Sequence, residues 1–377
     1  MLYVQDLLLL LSLGAIAYSL GCLYGAYDFP RLSPGRGLTP PVTVLIPVHG
    51  LDEGAYENFS SFCRQDYPHY QIIFGVLDPY DPVIPVIGRL IDDFPTARIQ
   101  LMVNSNRRGA NLKVSNLQNM LRAAEHEWLV ITDSDMRVTP DYLRQVVTFL
   151  QDERVGLVTC PYRGTQPRSL AAVLEALHMS CDFMPSVLVA RRLQAMRFAL
   201  GSTMALRRGV LHAIGGFEAI ADYVADDREL GYRVAQAGFD VCLAPYVVHS
   251  MLGRVSFVAM FKRRLRWART NKVCEPRGWA GVCLTYGTAP ALLFLLACGF
   301  SRLGWIVFGM TLAMRLLTTF LIAWRHLRDE NLPRFFWLLP LNDVLGLLIW
   351  ALSWVGSTIT WRGTTLRLRW GGKMVQV

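Results

Sequence analysis

An α/β domain on a mostly parallel sheet, set between membrane-directed segments, is the fold class the sequence predicts. Short apolar runs alternate with helical patterns from about Pro41 to about Gly278, which is how parallel sheets with crossover helices read. Leu7 to Tyr27 is uncharged and apolar over the roughly 20 residues that span a bilayer. A second apolar block begins near Trp279.

The chain has 377 residues, 53% of them hydrophobic, with a mean hydropathy of +0.29. These values lie between those of a soluble enzyme and a protein that is all membrane. The formal net charge of +9 suits an anionic membrane face, a phosphorylated substrate or a nucleic acid. The basic residues cluster beside the apolar segments instead of forming a groove pattern, which disfavours nucleic acid. None of the eight cysteines is spaced as CxxC, so neither a zinc site nor a disulfide framework is indicated.

Residues 1–27 are expected to form a membrane anchor. Nothing before Leu7 is basic and Asp6 is acidic, whereas Arg31 and Arg36 follow the apolar run. A cleavable signal needs the opposite order, and basic residues favour the cytoplasmic side. Residues 28–41, "DFPRLSPGRGLTPP", form a Pro/Gly-rich linker.

Residues 42–254 are expected to hold the α/β domain. Candidate strands are 42–48, 71–77, 98–104, 128–132, 155–160 and 239–245. Helical patterns fall near 54–64, 82–94, 112–125, 140–151, 168–195 and 227–237. Ligands of such sheets collect at the carboxyl ends of strands. His49, Asp78 with Asp81, and Asp133 with Asp135 stand there. No G-x-G-x-x-G or P-loop stretch is present, so a dinucleotide or P-loop site lacks its main support.

The acids in "WLVITDSDMRV" raise a question of charge. Residues i and i+2 of an extended chain share a side, and two like charges so placed need a cation between them. Thr139-Pro140 is a ready cap for the next helix, so Asp133 and Asp135 are surplus to structure. Hard divalent cations take carboxylate and phosphate oxygens. Asp135 is therefore the candidate metal ligand, bridging to a diphosphate, and Asp133 would hold the nucleoside or assist the metal. In "YVADDREL", Asp226 with Glu229 reads as a capping pair, which leaves Asp227 as a charged base. Lys113 in "NLKVSNL" contacts a phosphate or orders the D-x-D loop. His249 is a further candidate metal ligand.

Residues 255–278 read as an amphipathic interface helix. In "KRRLRWAR", Arg263, Arg266 and Trp267 share one helical face. The arginines suit a leaving diphosphate and the indole suits the acceptor or sugar. The same basic helix would also lie on anionic lipid. Residues 279–361 are expected to be membrane helices, with Arg315 facing a partner. Pro340, Asn342 and Asp343 interrupt the third apolar run, which is therefore expected to be a re-entrant or interfacial hairpin. That leaves the basic tail, 362–377, in the cytoplasm.

"VTVLIPVHG", Asp78, "DSD", "ADD" and "RRLRW" in this order resemble the D, D, D, (Q/R)xxRW pattern of inverting glycosyltransferases. With "NLKVSNL", "VGLVTCPY" and "GGFEAIADYVADD", the chain resembles the ceramide glucosyltransferase-like family, which includes bacterial hopanoid-biosynthesis glycosyltransferases. The resemblance spans roughly Val42 to Trp267 and departs from the eukaryotic enzymes in the acid at Asp135. It implies a GT-A fold, a UDP-sugar donor and a Mn²⁺ or Mg²⁺ cofactor. It implies that Pro47, Asp78, Lys113, Asp133, Asp135, Arg263 and Arg266 bind the nucleotide sugar, that Trp267 meets the acceptor, and that Asp227 is the base. A lipid hydroxyl of a ceramide or hopanoid would be the acceptor, at the cytoplasmic face of a bacterial inner membrane. A processive polysaccharide synthase, a phospho-polyprenol glycosyltransferase and a non-catalytic nucleotide-sugar-binding scaffold are the rival functions.

Overall fold

The computed structural model describes residues 2–27, 29, 37–361 and 363–376. Most of the expected linker, with Arg31 and Arg36, lies outside them, as does Arg362. The chain packs into two compact units. One comprises Met1–Phe29, Arg163–Ala195 and Arg254–Gly371; the other comprises Pro30–Tyr162, Met196–Gly253 and Gly372–Val377. The domain expected over 42–254 thus lacks residues 163–195, which pack with the apolar helices.

The second unit carries the sheet. Its strands are β1 (Val42–Val48), β2 (Tyr70–Val76), β3 (Arg98–Val103), β4 (Trp128–Ile131), β5 (Met136–Arg137) and β6 (Val155–Thr159). β7 (Tyr162–Pro167) lies almost wholly in the first unit, and the second unit resumes with β8 (Met204–Arg207), β9 (Asp240–Leu243) and β10 (Val248–Gly253). The seven-stranded sheet has the order β3-β2-β1-β4-β8-β6-β9. β1 is buried along its whole length and runs parallel to β2 and β4. Burial on both faces is why these strands read as continuous apolar runs. β8 is antiparallel to β4 and β6 and has no counterpart among the six expected strands. "MALR" is too short to show a pattern.

The helices Ala55–Cys63, Ile84–Asp93, Leu112–Leu121 and Tyr142–Val147 follow the expected pattern. Phe59, Phe62, Ile72, Phe74 and Tyr142 fill the core between them and the sheet. Each such side chain contributes about 1.5–3 kcal/mol on burial. β1, β2 and β4 are parallel, so their carboxyl ends lie at one edge. His49, Asp78 and Asp133 follow those ends.

Two expected caps differ. Thr139 does not cap the helix after the D-x-D loop; Asp141 precedes that helix, and Thr139 bonds the hydroxyl of Tyr246 instead. Asp226 is the first helical residue of Asp226–Gln236, not its cap.

The first unit is helical. Among the described residues, four helices are long and apolar enough to cross a membrane: Tyr3–Tyr27, Leu170–Gln194, Arg302–His326 and Leu332–Ser353. A further pair, Pro276–Tyr286 and Thr288–Ala297, is bent by 59°. The third apolar run is corrected here. Leu339–Ser353 is one helix with Pro340 in its first turn, where a missing N–H costs little. Asn342 and Asp343 do not interrupt it, because they are buried and bonded. Its exposed face carries Leu341, Val344, Leu348 and Leu352, and its buried face places the polar Asn342, Asp343 and Ser353 beside Leu339, Gly346 and Ile349. Apolar outside and polar inside is the pattern lipid selects. Arg315 does face protein partners: Asp182, Asp343 at 2.7 Å and the carbonyl of Cys181 at 2.6 Å.

The expected tail is also ordered differently. Thr358–Trp361 and Thr364–Leu368 pair as an antiparallel hairpin, and Met374–Gln376 is a strand.

Candidate functional site

β4 ends at Ile131, and after Thr132 and Asp133 the chain turns at Ser134 and Asp135 into β5. Thr132 donates its hydroxyl to the carbonyl of Ser202 at 2.8 Å, and its N–H bonds the carbonyl of Leu45 on β1. This holds Asp133 at the strand tip. The cation beside it is Lys113, whose Nζ lies 2.8 Å from Asp133 Oδ1 and 3.1 Å from Asp226 Oδ2. Of the two roles expected for Lys113, its contacts match the ordering of the D-x-D loop.

Lys113 is placed by the start of its helix. Asn111 caps Leu112–Leu121 by accepting from the N–H groups of Lys113 and Val114. The same side chain donates to the carbonyl of Tyr223 at 2.7 Å, and the N–H of Asn111 bonds the carbonyl of Ala221. Gly109, at φ 88°, approaches Ala221 so closely that a Cβ would lie 2.6 Å from it; only glycine fits there. The 109–111 turn is thus zipped to the loop that leads into Asp226 and Asp227.

Gly201 completes the cluster. A Cβ at this position would lie 3.1 Å from Asp133 Oδ2, 3.4 Å from Asp227 Oδ2 and 3.7 Å from Lys113 Nζ. The three side chains therefore converge on one bare backbone position. The neighbouring Ala199 donates its N–H to the carbonyl of Asp227, and Gly231 lets the Asp226–Gln236 helix press against Phe198 and Ala199. Sequence reasoning missed Gly201. The available signal was a lone glycine in the apolar stretch "FALGSTMAL", a mark of close backbone approach.

The electrostatics follow from this crowding. Burial works against the Lys113 ammonium, yet Asp133 and Asp226 outweigh it and hold its pKa above the ordinary lysine value. For Asp227, burial and then the adjacent Asp226 push the carboxyl up to about 6, against the pull of Lys113. Its Oδ1 accepts the N–H of Arg228 at 2.7 Å. A carboxylate of this kind is ionised at neutral pH and still takes a proton readily.

The other expected residues lie around this edge. Pro47 sits in β1 opposite Gly75. Asp78 is exposed just past β2 and accepts the N–H of Tyr80. Asp81 is buried and accepts the N–H groups of Gly50 and Val83. Asp135 Oδ2 lies 3.5 Å from the hydroxyl of Ser250, and the ladder sets His249 opposite Arg137. Among the described residues, no three His, Cys, Asp or Glu side chains are grouped to hold a metal. Asp133, Asp135 and His249 do not make a protein-only cation cage.

Arg263, Arg266 and Trp267 belong to the helical unit, on the helix Phe257–Cys274. Arg263 pairs with the buried Glu175 at 3.3 Å. Arg266 lies 5.7 Å from the ring centre of Trp361, and Trp267 is nearly parallel to His178 at 6.5 Å. Part of the basic charge of this helix is turned inward, while Phe257, Val258 and Lys262 are exposed. Arg264 and Lys272 are buried, bonding Asn342 and the carbonyls of Ser353 and Gly356, and Arg269 bonds the carbonyls of Val355 and Thr358.

Known proteins share this architecture. The described fold is similar to that of the mannosyltransferase PcManGT from Pyrobaculum calidifontis, solved in complex with GDP-Man and Mn²⁺. The TM-score is 0.57 at 20% identity, covering 93% of this chain and 97% of that one. The likeness is one of fold, the GT-A fold. In sequence, the chain is 23% identical over 350 residues to ceramide glucosyltransferase 1 of Caenorhabditis elegans, covering 89% of this chain and 73% of that protein. It is 25% identical over 443 aligned positions to the ceramide glucosyltransferase of Komagataella phaffii, covering 92% and 87%. The family model of glycosyl transferase family 21 matches residues 7–374. The chain belongs to glycosyl transferase family 21 and is a glycosyltransferase of the ceramide glucosyltransferase-like kind.

Proposed function

We propose that this enzyme moves a hexose, glucose or N-acetylglucosamine, from a UDP-sugar to the hydroxyl of a membrane lipid such as a ceramide or a hopanoid, with inversion. The observation that carries the reading is the convergence of Asp133, Asp227 and Lys113 on Gly201. Asp227 takes the proton of the lipid hydroxyl as that oxygen attacks the anomeric carbon. The bond from that carbon to the diphosphate breaks, and UDP leaves with its electron pair. One displacement inverts the centre. Lys113 keeps Asp133 ionised and aimed, Pro47 and Asp78 bind the nucleotide, and Arg263 and Arg266 take up charge on the diphosphate, with Trp267 against the acceptor.

Asp135 is the candidate carboxylate for a metal and His249 the second candidate ligand, while Asp133 pairs with Lys113. One or two protein ligands with diphosphate oxygens suit Mg²⁺ or Mn²⁺. Such a cation would neutralise the departing diphosphate.

The catalytic unit is assigned to the cytoplasmic face. Support comes from contacts inside the helical unit. Arg163 bonds the carbonyl of Leu327, and Asn331 bonds that of Gly164. Phe29 lies 5.4 Å from His326, while Gln5 bonds the carbonyl of Ala297 at 2.7 Å. Tyr3–Tyr27, 276–297 and Arg302–His326 then cross in alternation, with the basic 325–334 loop cytoplasmic, as its charge favours. Leu332–Ser353 stays at that face. Its far end is held there by Trp279, which bonds Ser353 and receives the indole N–H of Trp350.

The test is transfer by the purified chain in lipid nanodiscs. Donors are UDP-glucose, UDP-N-acetylglucosamine and GDP-mannose; acceptors are ceramide, a hopanoid polyol, diacylglycerol and a polyprenyl phosphate. The expected result is an inverted glycolipid from a UDP-sugar, lost in Asp227→Asn. Full turnover in that variant would reject the base, and transfer to polyprenyl phosphate alone would select the rival chemistry. Binding of UDP-sugar without transfer would make the chain a scaffold.

A further inference from the structure

The loop 221–224 is held from two sides. On one side are the bonds from Asn111 and a further bond from the N–H of Ala110 to Asp222 Oδ1 at 2.9 Å. On the other side is the C-terminal strand. Met374 donates its N–H to the carbonyl of Asp222 at 2.8 Å, and Val224 donates to the carbonyl of Gly372 at 2.9 Å. Tyr223 and Lys373 face each other as an antiparallel bridge, with Lys373 Nζ 5.7 Å from the ring centre of Tyr223. Met374 is buried. Two residues beyond Val224 the helix of Asp226 and Asp227 begins.

We infer that residues Gly372–Gln376 are a positioning strand for the catalytic base, clamping the loop that delivers Asp226 to Lys113 and Asp227 to Gly201. The inference rests on reading Asp227 as the base. The physical case is entropic. A loop bonded on one edge only keeps part of its backbone freedom. The strand removes that freedom beside the site, so the alignment of Asp227 depends on residues that follow the last membrane-directed helix. A single misplaced base costs rate more than binding.

Met374→Pro in the full chain removes the N–H that meets Asp222. In nanodiscs, the Val224 amide should exchange roughly tenfold faster and kcat should fall roughly tenfold. KM for the donor and the melting temperature should stay near wild type. The acid limb of the kcat profile should move to lower pH, because a loosened loop admits water to Asp227. Should Met374→Pro fail to accumulate, a chain ending at Lys373 removes the same donor and carries the same expectations. Wild-type exchange at Val224, or faster exchange with wild-type kcat and an unmoved acid limb, overturns the clamp. Asp227→Asn measured alongside separates the two readings. Retained turnover there overturns the base whatever the clamp does. Lost turnover there, with wild-type kcat in Met374→Pro, overturns the clamp alone.

Discussion

Lys113 and Asp133 form an ion pair of 2.8 Å, and that pair explains how a strand tip tolerates its acids. The same ammonium reaches Asp226 at 3.1 Å, so one buried cation serves both the D-x-D loop and the start of the Asp226–Gln236 helix. Lys113→Ala leaves these carboxylates facing each other. Partial exposure limits the loss to about 2 kcal/mol, seen as a lower melting temperature, while kcat/KM falls at least roughly tenfold. Thermal unfolding and steady-state transfer measured together check both; an active, equally stable variant would remove Lys113 from the site.

The raised Asp227 pKa sets the direction of the pH dependence. The base must be ionised, so kcat/KM should fall as pH drops through about 6. Asp226→Asn removes a neighbour that raises that value, so the acid limb should move to lower pH. Lys113→Ala removes one that lowers it, so the limb should move up. The stability sign is opposite to the activity sign. Between the ordinary carboxylate value and about 6, the folded chain holds a proton the unfolded chain has released, so this group's stabilisation is lost as pH rises through that window. A pH–rate series on the three proteins checks the order.

Gly201→Ala tests the convergence point. Its Cβ would sit 3.1 Å from Asp133 Oδ2 and 3.4 Å from Asp227 Oδ2, so one carboxylate must yield by a few tenths of an ångström. The expected outcome is a clear loss of kcat/KM, roughly tenfold or more, with little change in melting temperature. Activity equal to wild type would mean the cleft has slack that the reading does not allow.

Arg315→Met tests the helical unit. Asp182 and Asp343 would lose the guanidinium that lies between them, a loss of about 3–5 kcal/mol for a broken buried pair. The variant should aggregate in detergent at temperatures the wild type survives. Adding Asp182→Asn and Asp343→Asn should restore part of that tolerance, because no uncompensated charge then remains; size-exclusion after heating reads the outcome.

Much of this molecule was readable residue by residue. The runs that became β1, β2 and β4, the helices between them, and the acids Asp78 and Asp133 just past strand ends follow from local pattern. Apolar periodicity and strand ends are properties of neighbours in the chain. The apolar segments were found for the same reason. What the tertiary structure decided are pairings between distant residues. It set Lys113 against Asp133 and Asp226, brought Gly201 beneath two carboxylates, inserted β8 antiparallel into the sheet, and turned Asn342 and Asp343 inward. It also laid Met374 along Asp222. A charge or a bare glycine in a sequence carries no record of what will face it. Only burial in the fold removes the water that would otherwise satisfy each group, and so makes the partner obligatory.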